Sequence, residues 1–437
     1  MIIVETKEEQ DIFKLYWDNE VSFIYPVWCD LERHPLNNRI SFLYVRFRDQ
    51  ETDDGMVTID FIIPIEHNDC LNTDMDLSKS TQIKKVYNTK GLLQTNLGIS
   101  NMVDINSELF FYDYENYPNG LEINELEVLT NFYTRQGFRD NIGKIIPIMR
   151  WGNELRKISH SIGYEVSTDQ NWVNETMIPT LSDIERLGFR VDRKKFTDRW
   201  PDASYQKNLK GDIIYTEYNP YTLTSRPSNR HGGINFGALN KSDGTRECFV
   251  PREGNTFVQF DYDAYHIRLI GKLIGYNLPK TSAHQWLADQ YGISYEDSKG
   301  RTFKNLYGGI SEEDKNIKFF NLTDKFIQNH WKESLNRGYF KTLKGRKIQL
   351  SWIESPTSQK IFNYLLQSLE TELNIDTIGK LKEKGLHRYL VLYQYDSFTF
   401  DIPDDIIKGG ILKEIKGILE ENGFPVHGSY GKTFDKL

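Results

Sequence analysis

Two aspartates far apart in this chain sit where a catalytic divalent cation could be gathered. Asp261 ends the run Phe257-Val258-Gln259-Phe260, and Asp396 follows the run Tyr389 to Tyr395 just before Ser397-Phe398-Thr399-Phe400-Asp401. Both runs read as strands, the second as one arm of a tight hairpin. An aspartate at a strand end and another at a hairpin tip can meet if their strands pair. Two carboxylates so placed suit phosphoryl transfer from a nucleoside triphosphate, in which paired metals stand about 3.5–4 Å apart. Magnesium prefers carboxylate oxygens and keeps several waters, and the backbone carbonyl of Tyr262 could add a ligand. Between the aspartates, Lys299, Phe303 and Tyr307 recur every fourth residue and Gly308 follows. That spacing lines one face of a helix. Its lysine suits phosphate oxygens, and its aromatics suit stacking on a base.

The elements that must position these groups can be traced along the chain. Val21–Trp28, Ile40–Phe47, Met56–Ile65 and Gln82–Tyr87 read as strands, with the polar turn Asp49–Gly55 between the second and third. Helical patterns follow over Glu125–Gly137 and Pro147–Ser161. A helix then ends at Gly188, and residues 196–232 are polar and loop-like. Thr256–Phe260 is expected as a strand, with helices over 264–274, Glu296–Tyr307 and Ile361–Lys384. A strand pair Tyr389–Tyr395 and Phe398–Ile402 closes the pattern.

The 437 residues allow two or three domains, and aromatics make up 13% of them, which argues against disorder. No apolar run reaches membrane-spanning length, and the N-terminus lacks a signal-peptide layout. Cys29, Cys70 and Cys248 are too few and scattered for a disulfide framework or a zinc site, so a reducing cytosol is expected. A net charge of −8 speaks against nucleic acid, but its distribution is uneven. Residues 331–347 hold six basic residues against one acid, and residues 190–210 hold seven against three.

Seven segments together resemble family A DNA polymerases, the group of bacterial DNA polymerase I and many phage replicases. Asp261-Tyr262-(x)5-Arg268 resembles motif A, Lys299-(x)3-Phe303-(x)3-Tyr307-Gly308 motif B, and Tyr395-Asp396-Ser397 stands in the place of motif C. Thr224-Ser225-Arg226, Arg246-(x)2-Phe249, Thr342-(x)2-Gly345-Arg346 and Asn363-(x)3-Gln367 resemble further segments, in the family's order. The match runs from about Pro179 to the C-terminus. The resemblance implies an α/β and α+β chain: an RNase H-like, exonuclease-type domain over 1–160, then a polymerase domain over 161–437. The second would hold a palm with an antiparallel sheet, helical fingers near 270–330 and a minimal thumb near 190–222.

It further implies that Asp261 and Asp396 are catalytic and, with Tyr262, hold two magnesium ions, with manganese as an alternative. Lys299, Phe303, Tyr307, His266 and Arg268 would bind the nucleotide. Arg226, Arg246, Thr342, Arg346, Asn363 and Gln367 would touch primer–template DNA. Expected partners are primer–template, dNTPs and a processivity factor standing in for the thumb, in the cytoplasm of a host if the chain is phage-encoded.

Four departures qualify the resemblance. Motif C reads Tyr-Asp-Ser instead of His-Asp-Glu, and His266 replaces a glutamate that excludes the ribose 2′-hydroxyl. Tyr295 stands where an arginine is common. Only 32 positions separate Asp192 from Thr224, too few for a full thumb.

The first domain resembles the family's 3′–5′ exonuclease. Asp30-Leu31-Glu32 and Ile63-Pro64-Ile65-Glu66-His67 resemble its pattern, but no aspartate stands at the position expected near Leu92, and Tyr133-(x)3 ends on Gly137. A degenerate nuclease with Asp30 and Glu32 as its remnant is expected, with Asp104 or Asp113 as candidate substitutes. Other readings remain: an RNA-synthesising polymerase or primase, a non-catalytic DNA-binding scaffold, and a nuclease with a vestigial polymerase half.

Overall fold

The computed structural model describes residues 2–29, 36, 38–47, 50–53, 55–57, 59–67, 70–71, 74–112, 114–118, 156–157, 172–201, 203–206, 208–215, 217–229 and 234–437. The helices expected over Glu125–Gly137 and Pro147–Ser161, the 160/161 boundary, and Asp30, Glu32, Asp113 and Tyr133 therefore lie outside the described residues, apart from a helical 156–157. The chain forms two compact units: Met1–Arg186 with Asp202–Gly211 and Tyr215–Glu217, and Leu187–Pro201 with Asp212–Ile214 and Tyr218–Leu437.

The first unit is built on a six-stranded mixed sheet. In spatial order its strands are Ile2–Ile3, Asp60–Pro64, Ile40–Phe47, Ser22–Trp28, Lys84–Val86 and Met102–Asp104. Ile40–Phe47 runs antiparallel to both neighbours, while Ser22–Trp28, Lys84–Val86 and Met102–Asp104 run parallel. The two long strands are buried on both faces, which suits their near-continuous apolar sequence. Helix Lys7–Asn19 starts with a capping box between Thr6 and Glu9. It packs Phe13 and Trp17 onto the sheet's Phe47 and Phe61. The expected strand Met56–Ile65 is instead two elements. Gly55–Val57 pairs with Gln50–Thr52, and Asp60–Pro64 joins the main sheet. Gly55, at φ +115°, allows the tight turn between Gln50–Thr52 and Gly55–Val57.

The second unit centres on a four-stranded antiparallel sheet, in spatial order Leu390–Gln394, Ser397–Pro403, Asn255–Tyr262 and Val426–Gly431. The first two strands form the expected hairpin. The fourth was not anticipated: its four glycine and polar residues among six conceal it from a hydrophobic pattern. The unit also holds helices Tyr265–Leu273, Ala283–Tyr291, Tyr295–Gly308, Lys318–Arg337 and Ser358–Glu383. The last is 26 residues long and mostly buried, with Thr357 capping its start. A cluster of Phe189, Phe236, Phe249, Phe257 and Phe434 packs at close ring contact. It anchors the strand that carries Asp261.

Candidate active site

Strand register brings the two aspartates together. Asp261 lies opposite Ser397 on one side and His427 on the other. The amide of Tyr262 donates to the carbonyl of Asp396 at 3.0 Å, so the end of the strand is tied to the hairpin tip. The hairpin turns through Tyr395 at φ +56°, a left-handed conformation that favours glycine. Tertiary contacts hold it there. Asn374 Nδ2, from the long helix, donates to the Tyr395 carbonyl at 2.5 Å, and Tyr265 Oη donates to Asn374 Oδ1 at 2.8 Å. Tyr218 Oη accepts from the Tyr393 amide at 2.9 Å and donates to its carbonyl at 3.0 Å.

Burial raises the carboxyl pKa of Asp261. Burial, then the charges of Glu370 and Asp261, push Asp396 up to about 6. Two crowded, poorly solvated carboxylates are a site that a divalent cation would relieve. Among the described residues no three His, Cys, Asp or Glu side chains form a closed metal cage. Magnesium does not require one, since it is commonly held by one or two carboxylates and substrate phosphates. Asp261 and Asp396 therefore fit it. The Tyr262 side chain is core: it stacks on Tyr265 at 4.3 Å and its hydroxyl donates to the Leu419 carbonyl.

A cavity of about 260 Å³ opens beside Asp396. One wall is helix Tyr295–Gly308, which presents Phe303 and Tyr307 with rings stacked at 5.8 Å and 12°. They are 50% and 39% exposed, unusual for large aromatics and suited to receiving a flat ligand. The floor holds His266, Glu370 and Arg226. His266 Nδ1 meets Tyr307 Oη at 2.7 Å, and Nε2 meets Glu370 Oε2 at 2.6 Å. Lys299 lies one turn before Phe303 on the same helix, outside the cavity lining, with its ammonium 4.5 Å from the Tyr295 ring. His284, which the sequence reading missed, also lines the cavity. Burial, then the Lys299 charge, lower its pKa, which favours the neutral imidazole.

Other expected contacts are differently placed. Arg268 is buried and saturated: it pairs with Asp263 Oδ2 at 2.5 Å and donates to the carbonyls of Asp263, Pro279 and Thr281. It braces the turn after the central strand and does not line the cavity. The same pairing, with Ala283 N–H, occupies Asp263. Arg246 lies over the Phe434 ring and donates to the Leu239 carbonyl, within the aromatic cluster. Thr224 Oγ1 donates to Gln367 Oε1 at 3.2 Å, and Arg346 Nη2 to the Leu223 carbonyl at 2.6 Å. These bonds join the segment 222–226 to the helix and hairpin behind it. Arg226 pairs with Glu370 at 3.2 Å and covers the Tyr395 ring at 3.7 Å. Asn363 is half-buried, and its Oδ1 has no hydrogen-bond partner among the described residues. The Thr342 amide donates to the Arg346 carbonyl at 2.9 Å, closing a turn.

The basic run 331–347 is only partly available. Arg346 is buried, Lys344 pairs with Asp376 at 2.6 Å and Arg337 with Glu333 at 3.6 Å, while Lys332, Lys341 and Lys347 are exposed. In the first unit, Leu92 is 3% exposed within the hydrophobic core. Asp104 accepts from the amides of Thr89 and Ser107, a capping role. No described helix is long and apolar enough to cross a membrane.

No protein-family model matches the chain. A DNA polymerase of Mycobacterium phage L5 is 24% identical over 278 residues, 57% of this chain and 46% of the relative. The chain thus spans less than half the length of the curated relative it matches. A solved structure, the POL domain of Pol1 from M. smegmatis in complex with DNA primer-template and dNTP, superposes with a TM-score of 0.67 at 14% identity, over 100% of both chains. The chain thus has the fold of a polymerase domain solved with primer-template and dNTP, and sequence likeness to a phage DNA polymerase.

Proposed function

We propose that the chain is a DNA-directed DNA polymerase that extends a primer 3′ end from dNTPs and releases pyrophosphate. The observation that carries this reading is the meeting of Asp261 with Asp396, which lines an aromatic-walled cavity. When bound, magnesium would neutralise charge on the triphosphate and activate the attacking hydroxyl. Asp261 and Asp396 hold that charge in place. Phe303 and Tyr307 receive the base, and Lys299 meets the phosphates. Stabilisation is chiefly electrostatic, from groups fixed before substrate arrives. Arg226, Gln367, Asn363, Thr342 and Arg346 act mainly by shaping the wall along which primer–template lies. Exposed Lys332, Lys341 and Lys347 give that binding its salt dependence.

The first unit is read as an RNase H-like, exonuclease-derived domain without nuclease activity. Its strand order and directions support the fold, and buried Leu92 at an expected carboxylate position supports the loss of activity. Among the described residues, the segment between Asp192 and Thr224 carries helices of seven and four residues, which supports a reduced thumb. A separate processivity factor is proposed as the partner that retains DNA, in the cytoplasm of a phage host.

Primer extension with magnesium tests the assignment. Template-dependent addition of deoxynucleotides is expected, in runs of roughly tens of residues or fewer per encounter, because little protein encloses the product. Runs of hundreds under single-encounter conditions, with no added protein, would remove the reduced-thumb reading. Preference for ribonucleotides would transfer the assignment to a primase. Tight DNA binding without extension would favour a scaffold. With dNTPs omitted, a 5′-labelled primer is expected to stay intact; its stepwise shortening would restore the nuclease.

A further inference from the structure

Glu370 is absent from every motif read in the sequence, yet it lies at the centre of the cavity floor. Its side chain is 1% exposed. A buried carboxylate is costly unless its oxygens are paired. Both are: Oε1 accepts from Arg226 Nη2 at 3.2 Å, and Oε2 meets His266 Nε2 at 2.6 Å. A carboxylate offers only acceptors, so Nε2 carries the hydrogen of this bond. In the neutral ring Nδ1 then accepts from the Tyr307 hydroxyl at 2.7 Å. Glu370 thus selects the tautomer that can hold Tyr307. Tyr307 belongs to the helix that walls the cavity, and its ring stacks on Phe303. One buried carboxylate on the long helix thereby ties the aromatic wall to the floor.

We propose that Glu370 is the positioning residue of the nucleotide site: through His266 it holds Tyr307 in the orientation that receives an incoming nucleotide. The inference rests on the nucleotide-addition reading above. It assigns Glu370 no contact with cation or substrate: its two oxygens face Arg226 and His266. It also explains why a histidine serves at position 266. With a donor on one side and an acceptor on the other, the ring spans from Glu370 to Tyr307, which a single carboxylate at 266 would reach only on the tyrosine side.

The test is steady-state single-nucleotide addition by the full chain carrying Glu370→Ala, Glu370→Gln, or Glu370→Ala with His266→Glu, alongside melting temperatures and magnesium titrations. Glu370→Ala is expected to raise the dNTP KM about tenfold, the worth of one charge-assisted bond, with kcat within about threefold. Glu370→Gln keeps the volume but can accept from only one neighbour, so an intermediate KM is expected and guards against misfolding of the alanine variant. His266→Glu places an acceptor beside the Tyr307 hydroxyl and is expected to restore KM in the Glu370→Ala background. An unchanged KM in both single variants, with normal addition by the unaltered chain, overturns the inference alone. A displaced magnesium midpoint with unchanged KM also overturns it, by making Glu370 a cation ligand. No addition by the unaltered chain overturns the nucleotide-addition reading and this inference together.

Discussion

Asp396→Asn is expected to lower template-directed addition about 10³-fold or more while making the metal-free protein more stable. On the proposed function, the loss follows from removing one of the two carboxylates that would hold the cations opposing the triphosphate. The gain follows from the carboxyl group's environment. Burial, Glu370 and Asp261 push its pKa up to about 6, against roughly 3.9 for an unfolded aspartate. Between those values the folded chain binds more protons than the unfolded chain. Stability therefore falls as pH rises from about 4 to about 6, and the whole penalty is present at pH 7. An uncharged isostere removes it, a gain on the order of 1–3 kcal/mol. Thermal melts of both proteins without metal, from pH 4 to pH 8, should converge at the acid end and separate above pH 6. Magnesium should then raise the melting temperature of the wild type more than that of the variant. An Asn variant that melts lower than wild type at pH 7, or that retains activity, would show that this carboxylate is not a destabilised ligand.

Lys299→Ala is expected to reduce kcat/KM for dNTPs about 10- to 100-fold and leave primer–template affinity within about threefold. A charge-assisted bond to phosphate is worth about 1.5–3 kcal/mol, which sets the range. The lysine is available for it. It makes no salt bridge with a described residue, and its ammonium lies over the Tyr295 ring, one helical turn before Phe303. Lys299→Arg should recover part of the loss, since a planar fork meets phosphate differently from a point charge. Equal losses of nucleotide and DNA affinity would instead place Lys299 along the template. No loss at all would leave the helix Tyr295–Gly308 a purely structural wall.

Arg268 shows that a motif position does not by itself fix which groups a side chain meets. It stands at the expected distance from Asp261, but its guanidinium is consumed by Asp263 and three carbonyls. An arginine's destination depends on which acceptors the fold brings near, and those acceptors are up to thirteen residues away in sequence. Arg226 similarly faces Glu370 and Tyr395. Glu370 had a readable signal of a different kind. Asn363, Gln367, Glu370 and Asn374 recur at spacings of four, three and four on a largely apolar helix, which defines a polar stripe. Their partners, however, come from three other segments.

The chain's local chemistry is legible in its sequence. Alternating and apolar runs mark the strands that carry Asp261 and Asp396, and a four-residue period marks the helix of Lys299, Phe303 and Tyr307, because side-chain direction repeats with backbone geometry. Tertiary structure alone decided the rest. It brought Asp261 beside Asp396 through strand register, placed His427 across from Asp261 on an unanticipated strand, and buried Glu370 where His266 could bridge it to Tyr307. Register and long-range pairing are settled by packing between segments from about 40 to more than 160 residues apart, and no spacing within one segment encodes them.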